Sequence, residues 1–132
     1  MAQHSVANLE ARLDSAQGAS RVLLLNELAA RYKLENASRS LEYSLAALEM
    51  AKSLSLSEQV HVAYNNLGEY YLDQGMYDSA LHFFEEGYHY ESLNITDRQR
   101  MIAYSKIGVT YYFKNHYNQA LDILRNTVAE SH

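Results

Sequence analysis

The sequence predicts an all-α fold in which three helical hairpins follow a short N-terminal helix. Three observations support this prediction. The 132 residues include no proline and only five glycines, so the strongest helix breakers are nearly absent. Apolar residues return every three or four positions, which is helical spacing. One segment also recurs at offsets of 39 and then 40 residues, which is typical of a helical repeat protein.

Composition favours a single domain over residues 1–132. Hydrophobic residues make up 48% and charged residues 20%, as in globular proteins. The longest apolar runs, such as VLLL at 22–25, are far too short to span a bilayer, so we expect no direct membrane contact from this fragment. The net charge of −5 and the lack of Lys/Arg runs exclude nucleic acid as an expected partner. Without cysteine the compartment stays open: cytoplasmic, or periplasmic if a leader was removed.

The N-terminal part is predicted to hold a short capping helix at 6–16 and a first hairpin at 20–54. Ala29 and Leu41 stand at positions where the later copies have a glycine and an alanine, so we expect this helix pair to be splayed. Asn36 marks the break between its helices, because asparagine tolerates the left-handed conformation at a helix end. The remaining repeat positions of this copy are apolar or aromatic: Leu25, Leu28, Tyr32 and Leu45.

The second and third hairpins, at 57–92 and 96–130, match each other closely. YNNLGEYYLDQGMYDSALHFFEEGY at 64–88 aligns without a gap on YSKIGVTYYFKNHYNQALDILRNTV at 104–128. Gly75 and Asn115 mark the breaks within these hairpins. Ser57 is predicted to cap the second hairpin, and Thr96 with Gln99 reads as a capping box that starts the third.

These copies resemble the tetratricopeptide repeat over roughly residues 21–130. The resemblance rests on Tyr64, Gly68, Tyr71, Tyr77, Ala80 and Leu81, which recur as Tyr104, Gly108, Tyr111, Tyr117, Ala120 and Leu121. It implies a right-handed α-solenoid and a scaffold that binds protein or peptide in its concave groove. The repeat is longer than the family's usual 34 residues and lacks its closing proline. It is similar in this to arrays in bacterial signalling receptors. The chain is therefore expected to be a fragment of a longer protein. The alternative to a peptide-binding scaffold is a sensory or homo-oligomerising region of a signalling protein that also carries a histidine kinase or nucleotide cyclase domain.

The resemblance places the first helix of each hairpin along the groove. Asn26, Asn65 and Ser105 would then form a polar ladder that contacts a peptide backbone. Further groove residues on the same helices would be Asn66, Glu69, Lys106 and Tyr112.

The last helix carries apolar residues that nothing in the sequence covers. Leu121, Leu124 and Val128 lie on it at helical spacing. Further repeats could follow in the native protein, or two copies could form a homodimer through this end.

No catalytic or cofactor motif is present. His82 and Glu86, and likewise Glu85 and His89, stand four residues apart, as metal ligands on a helix can. No third ligand is placed beside either pair, so we expect surface pairs rather than a metal site. We therefore expect a binding protein without cofactor rather than an enzyme.

Overall fold

The computed structural model describes residues 5–90, 96–114 and 116–130, and only the backbone of 117–118 and 127–130. Every regular element in these ranges is an α-helix, which confirms the all-α prediction. In chain order these are α1 (Val6–Leu13), α2 (Gly18–Tyr32), α3 (Ala37–Ser53), α4 (Ser57–Asp73), α5 (Tyr77–His89), α6 (Asp97–Phe113) and α7 (Tyr117–Glu130). None of the helices in the described ranges has the length and apolar character needed to cross a membrane.

Each helix packs against the next one along the chain. In addition, α2 contacts α4 and α4 contacts α6. The first helices of the three hairpins therefore lie side by side, and this row of helices carries the residues that were predicted to bind a ligand.

The short helix α1 is attached to the first hairpin by both apolar and polar contacts. Its Leu9 and Leu13 are buried in the same cluster as residues of α2. Glu10 accepts hydrogen bonds from the hydroxyls of Tyr43 at 2.6 Å and Tyr32 at 2.8 Å. These bonds, together with the nearby charge of Arg39, hold the pKa of Glu10 below its ordinary value. The carboxylate therefore links α1 to both α2 and α3.

Glycine allows close contact within the second and third hairpins. At Gly68 of α4, an added Cβ would lie only 2.4 Å from Cε1 of Phe84 in α5. At the equivalent Gly108 of α6, an added Cβ would lie 2.9 Å from Cγ2 of Ile123 in α7. In both hairpins a side chain of the second helix occupies the space that a larger residue would need.

The first hairpin achieves close contact differently, and the expectation that it is splayed is wrong. Ser40 is buried, and its Oγ donates a hydrogen bond of 2.7 Å to the carbonyl of Ala29. Leu41, predicted to occupy this position, is only partly buried. Ser40 follows Ala29 by 11 residues, whereas Ala80 follows the equivalent Gly68 by 12, so the buried position of α3 comes one residue earlier than predicted.

Two predictions at helix ends are confirmed. The capping box is confirmed, since Gln99 N donates to Thr96 Oγ1 and Thr96 N donates to Gln99 Oε1, each at 3.1 Å. Gly75 has a φ of +74°, as predicted for a left-handed helix end.

Two other predictions at helix ends are wrong, one of them only in its reason. Asn36 does mark the break between α2 and α3. Its φ of −150° is outside the predicted left-handed region, however, and its side chain instead accepts a hydrogen bond from the backbone N–H of Arg39. Ser57 is the first residue of α4, and the capping position is held by Leu56 without a side-chain hydrogen bond. The predicted break at Asn115 lies outside the described residues.

Candidate functional site

The candidate site is the surface on which α2, α4 and α6 lie side by side. All the predicted groove residues belong to these three helices: Asn26 to α2, Asn65, Asn66 and Glu69 to α4, and Ser105, Lys106 and Tyr112 to α6. The structure gives these residues different roles, because some of them bond to one another across the helices and others remain at the surface.

Asn26 takes part in helix packing, so the prediction that it opens into the groove is wrong. It is only 4% exposed. Its Nδ2 donates to the backbone carbonyl of Gln59 at 3.2 Å and to Oε1 of the same residue at 3.0 Å. Asn66 donates in turn to the backbone carbonyl and Oδ1 of Asn26, at 3.4 and 3.5 Å. A ligand would have to break these bonds to reach the Asn26 amide.

Gln59 was not predicted to belong to this network. The repeat pattern offers no signal for it, because the equivalent residue of the third hairpin, Gln99, is a capping residue.

The other two residues of the predicted polar ladder remain partly accessible. Asn65 is half-buried, and its side chain makes no hydrogen bond to any other residue that the structure describes. Ser105 is also half-buried, and its hydroxyl donates to the carbonyl of Ile102 in the same helix at 2.9 Å. Its oxygen still has lone pairs that can accept from a ligand. The ladder is therefore reduced from three residues to these two.

Glu69 joins all three helices electrostatically. It forms salt bridges with Lys33, which caps the C-terminus of α2, and with Lys106 of α6. Burial alone would raise the pKa of Glu69, but hydrogen bonds and charge from Lys106 and Lys33 outweigh it and lower the pKa. The carboxylate therefore stays ionised at neutral pH. Two ammonium groups share one carboxylate here, which leaves a net positive charge within the cluster.

An aromatic pair lies at the C-terminal end of α6. Tyr112 is 55% exposed and meets Phe113 edge to face, with ring centroids 5.8 Å apart. Phe113 also stacks on Tyr77 of α5, with centroids 6.3 Å apart. Tyr112 therefore lies at the surface beside the ring of Phe113, which is itself packed on Tyr77.

The residues predicted for self-association differ from one another. Leu121 is exposed. Leu124 is half-buried, and its Cδ2 lies 3.1 Å from the position that a Cβ on Gly108 would take. Leu124 therefore belongs mainly to the packing of α6 on α7, which corrects its assignment to a free surface. The side chain of Val128 lies outside the described residues.

The histidine and glutamate pairs on α5 gain no further ligand from the fold. Among the described residues, no group of three or more His, Cys, Asp or Glu side chains is placed to hold a metal ion. Comparison with protein-family models, with curated proteins and with solved structures gives no match to this chain.

Proposed function

We propose that this chain is a right-handed solenoid of tetratricopeptide-type hairpins that binds an extended peptide on the face formed by α2, α4 and α6. The observation that carries the proposal is the half-exposed Asn65, whose amide has no hydrogen-bond partner among the described residues. An asparagine amide can donate to one peptide carbonyl and accept from the next peptide N–H. Such a contact depends on the ligand backbone and not on its sequence.

The helix contacts support the solenoid arrangement. The helices α3, α5 and α7 begin 40 residues apart, at Ala37, Tyr77 and Tyr117. The row of first helices is in mutual contact, whereas α3 and α5 make no contact with each other in the described part of the chain. A layer whose helices approach more closely lies on the inner side of a curved stack. The face that carries Asn65 would therefore be the concave one.

The surroundings of Asn65 suggest the chemistry of the ligand. The cluster of Lys33, Glu69 and Lys106 leaves one positive charge in excess, which favours an acidic side chain over a basic one near it. Tyr112 at the end of α6 offers an exposed aromatic ring, and tyrosines often anchor interfaces. We expect the ligand to be an extended segment with an acidic residue and, further along, an apolar residue.

A peptide library followed by calorimetry with the selected peptide tests this function. Asn65→Ala should weaken binding by about 1–3 kcal/mol and leave the unfolding midpoint nearly unchanged. Asn126→Ala, at an exposed position of α7, is the matched control and should bind normally. Asn26→Ala should lower stability, because it breaks the bonds to Gln59. An affinity that is unaffected by Asn65→Ala would refute backbone recognition by this amide.

A specific observation favours homo-oligomerisation as a second candidate function. Leu81 of α5 is 8% exposed because α6 packs beside it, whereas the equivalent Leu121 of α7 is 56% exposed. At the other end of the chain α1 covers the first hairpin, and its exposed residues, such as Ala7, Ala11 and Arg12, are small or polar. In the described residues, the α6–α7 end therefore suits self-association better than the α1 end, and a two-fold dimer would close there. Such a dimer would suit the sensory region of a larger bacterial signalling protein.

Light scattering over a concentration series tests the dimer. We expect the mass to rise towards that of two chains, and Leu121→Glu to abolish the rise. Leu34→Glu introduces the same charge at an exposed site in the first hairpin and should leave the association intact. A single-chain mass at all concentrations would refute the homodimer.

A further inference from the structure

His61 occupies a core position that the other two hairpins fill with apolar residues. The equivalent residues are Val22 in α2, which is buried, and Met101 in α6, which is partly buried. His61 itself is only 3% exposed. Its Nε2 is buried and has no hydrogen-bond partner among the described residues. A buried polar atom without a partner is rare in folded proteins, so this histidine is not explained by packing alone.

The ring of His61, on α4, lies against the C-terminal end of α5. It packs edge to face against Tyr90 at the end of α5, with ring centroids 5.6 Å apart. A Cβ added at Gly87 would lie 3.9 Å from its Nδ1, so α5 passes close beside the ring. From α6, the charge of Arg100 acts on it. A charge on His61 would therefore lie against the end of α5 and interact with Arg100 of α6.

Among the described residues, Arg100 supplies the charge that acts on His61, and this charge is positive. The titratable neighbours of His61 along α4 are Glu58, which is exposed, and Tyr64, whose ring contacts Tyr90. Lys52 of α3 lies above the Tyr64 ring at 5.1 Å, and the charge of Glu86 acts on this lysine. The two influences on His61, burial and then the charge of Arg100, both lower its pKa. A protonated ring would thus be buried and would face a second cation.

We propose that His61 is a pH-sensitive switch that controls how firmly the third hairpin is attached to the second. When neutral, the ring packs as a core residue between α4 and the end of α5. When protonated, it repels Arg100 and requires solvation that the closed junction does not give. The junction between α5 and α6 then opens more often. This inference does not rest on peptide binding, because its observations concern only the burial and contacts of the His61 ring.

The direction of the pH effect follows from linkage. A histidine whose pKa is lower in the folded chain than in the unfolded chain stabilises the fold fully above the unfolded value, about 6.5. This stability is lost as the pH falls through the folded pKa. Glu10 and Glu69 have pKa values lowered from 4.5, so they titrate below this window and do not mask the effect.

Hydrogen exchange measured by mass spectrometry at pH 7.5 and 5.5 tests the proposal, after correction for the intrinsic pH dependence of exchange. In the native chain we expect protection of α6 to fall several-fold at pH 5.5, while α2 and α3 change little. His61→Met copies the equivalent Met101 and should remove this difference. His82→Gln, at an exposed histidine of α5, is the control and should keep it.

Either of two results would overturn the switch: protection of α6 that is equal at both pH values, or a pH effect that survives in His61→Met. If His61→Met does not fold, the NMR titration of the His61 ring in the native chain decides. A ring that titrates below the ordinary histidine range supports the proposal. Titration at or above that range overturns it.

Discussion

Substitution of Gly68 by alanine tests the packing of the second hairpin directly. The new Cβ would lie 2.4, 2.5 and 2.7 Å from three carbons of the Phe84 ring, far inside van der Waals contact. Phe84 is fully buried, so its ring cannot turn away into solvent. Overpacking costs about 1–3 kcal/mol, and three close ring carbons place this substitution in the upper part of that range, at about 2–3 kcal/mol. Alanine gains about 1 kcal/mol over glycine within a helix. We therefore expect a net loss of about 1–2 kcal/mol.

Thermal and urea unfolding followed by circular dichroism would measure this loss. For a chain of this size it corresponds to a midpoint lowered by about 3–10 °C. Gly108→Ala is the matched control, because its nearest contacts are 2.9 Å to Ile123 and 3.1 Å to Leu124. Both of these side chains are only half-buried, so they have room to shift outward by a small amount, and the helix gain should offset the crowding.

A double-mutant cycle separates the contact with the ring from other effects of the alanine. In the Phe84→Leu variant the ring is absent, so adding Gly68→Ala should cost less than it does in the native chain. If Gly68→Ala were as stable as the native chain, or if its cost were unchanged by Phe84→Leu, the close contact between α4 and α5 would be refuted.

Three further predictions concern a turn and two carboxylates. Gly75→Ala should destabilise the chain by about 1–2 kcal/mol, because alanine is strained at a φ of +74°. Gly75→Asn should lower the stability less in the same unfolding assay. Glu10→Gln should lower the free energy of unfolding by about 1 kcal/mol. Limited proteolysis should then cleave α1 before the remaining helices. Equal protection of α1 in the native and Glu10→Gln chains would contradict the anchoring role of Glu10. Glu69 has a pKa lowered from 4.5, so the stability it contributes is present above 4.5 and lost as the pH falls through its folded value. Between pH 6 and 3, the free energy of unfolding in urea should therefore fall less steeply with pH in Glu69→Gln than in the native chain. An identical pH dependence in the two chains would show that Lys33 and Lys106 do not stabilise the ionised carboxylate.

Where sequence signals succeeded, the features depend on neighbouring residues. The capping box of Thr96 and Gln99 requires only two side chains and the backbone of one helical turn. Gly75 was identified because a left-handed residue is needed at a helix end. The helical nature of each segment follows from apolar spacing alone. These features need no information about which helix packs on which.

The register of α3 could not be read from the same pattern. Leu41 and Leu45 keep helical spacing, so they suggested an apolar face that the structure places largely outside the core. The buried positions are held by Ser40 and Ser44, which are small and polar and give no hydrophobic signal. The hydroxyl of Ser40 is satisfied by the carbonyl of Ala29, and only the neighbouring helix supplies that acceptor.

Polar residues on the α2–α4–α6 face differ in their hydrogen bonding, and the sequence could not distinguish them. Asn26 is buried because Gln59 and Asn66 bond to it across the helices, and a buried amide that loses its partners is costly. Asn65 has the same chemistry without a described partner. Substitution of Asn26 should therefore act on stability, and substitution of Asn65 on binding. A loss of affinity caused by Asn26→Ala counts as evidence for the site only if the fold is shown to be intact.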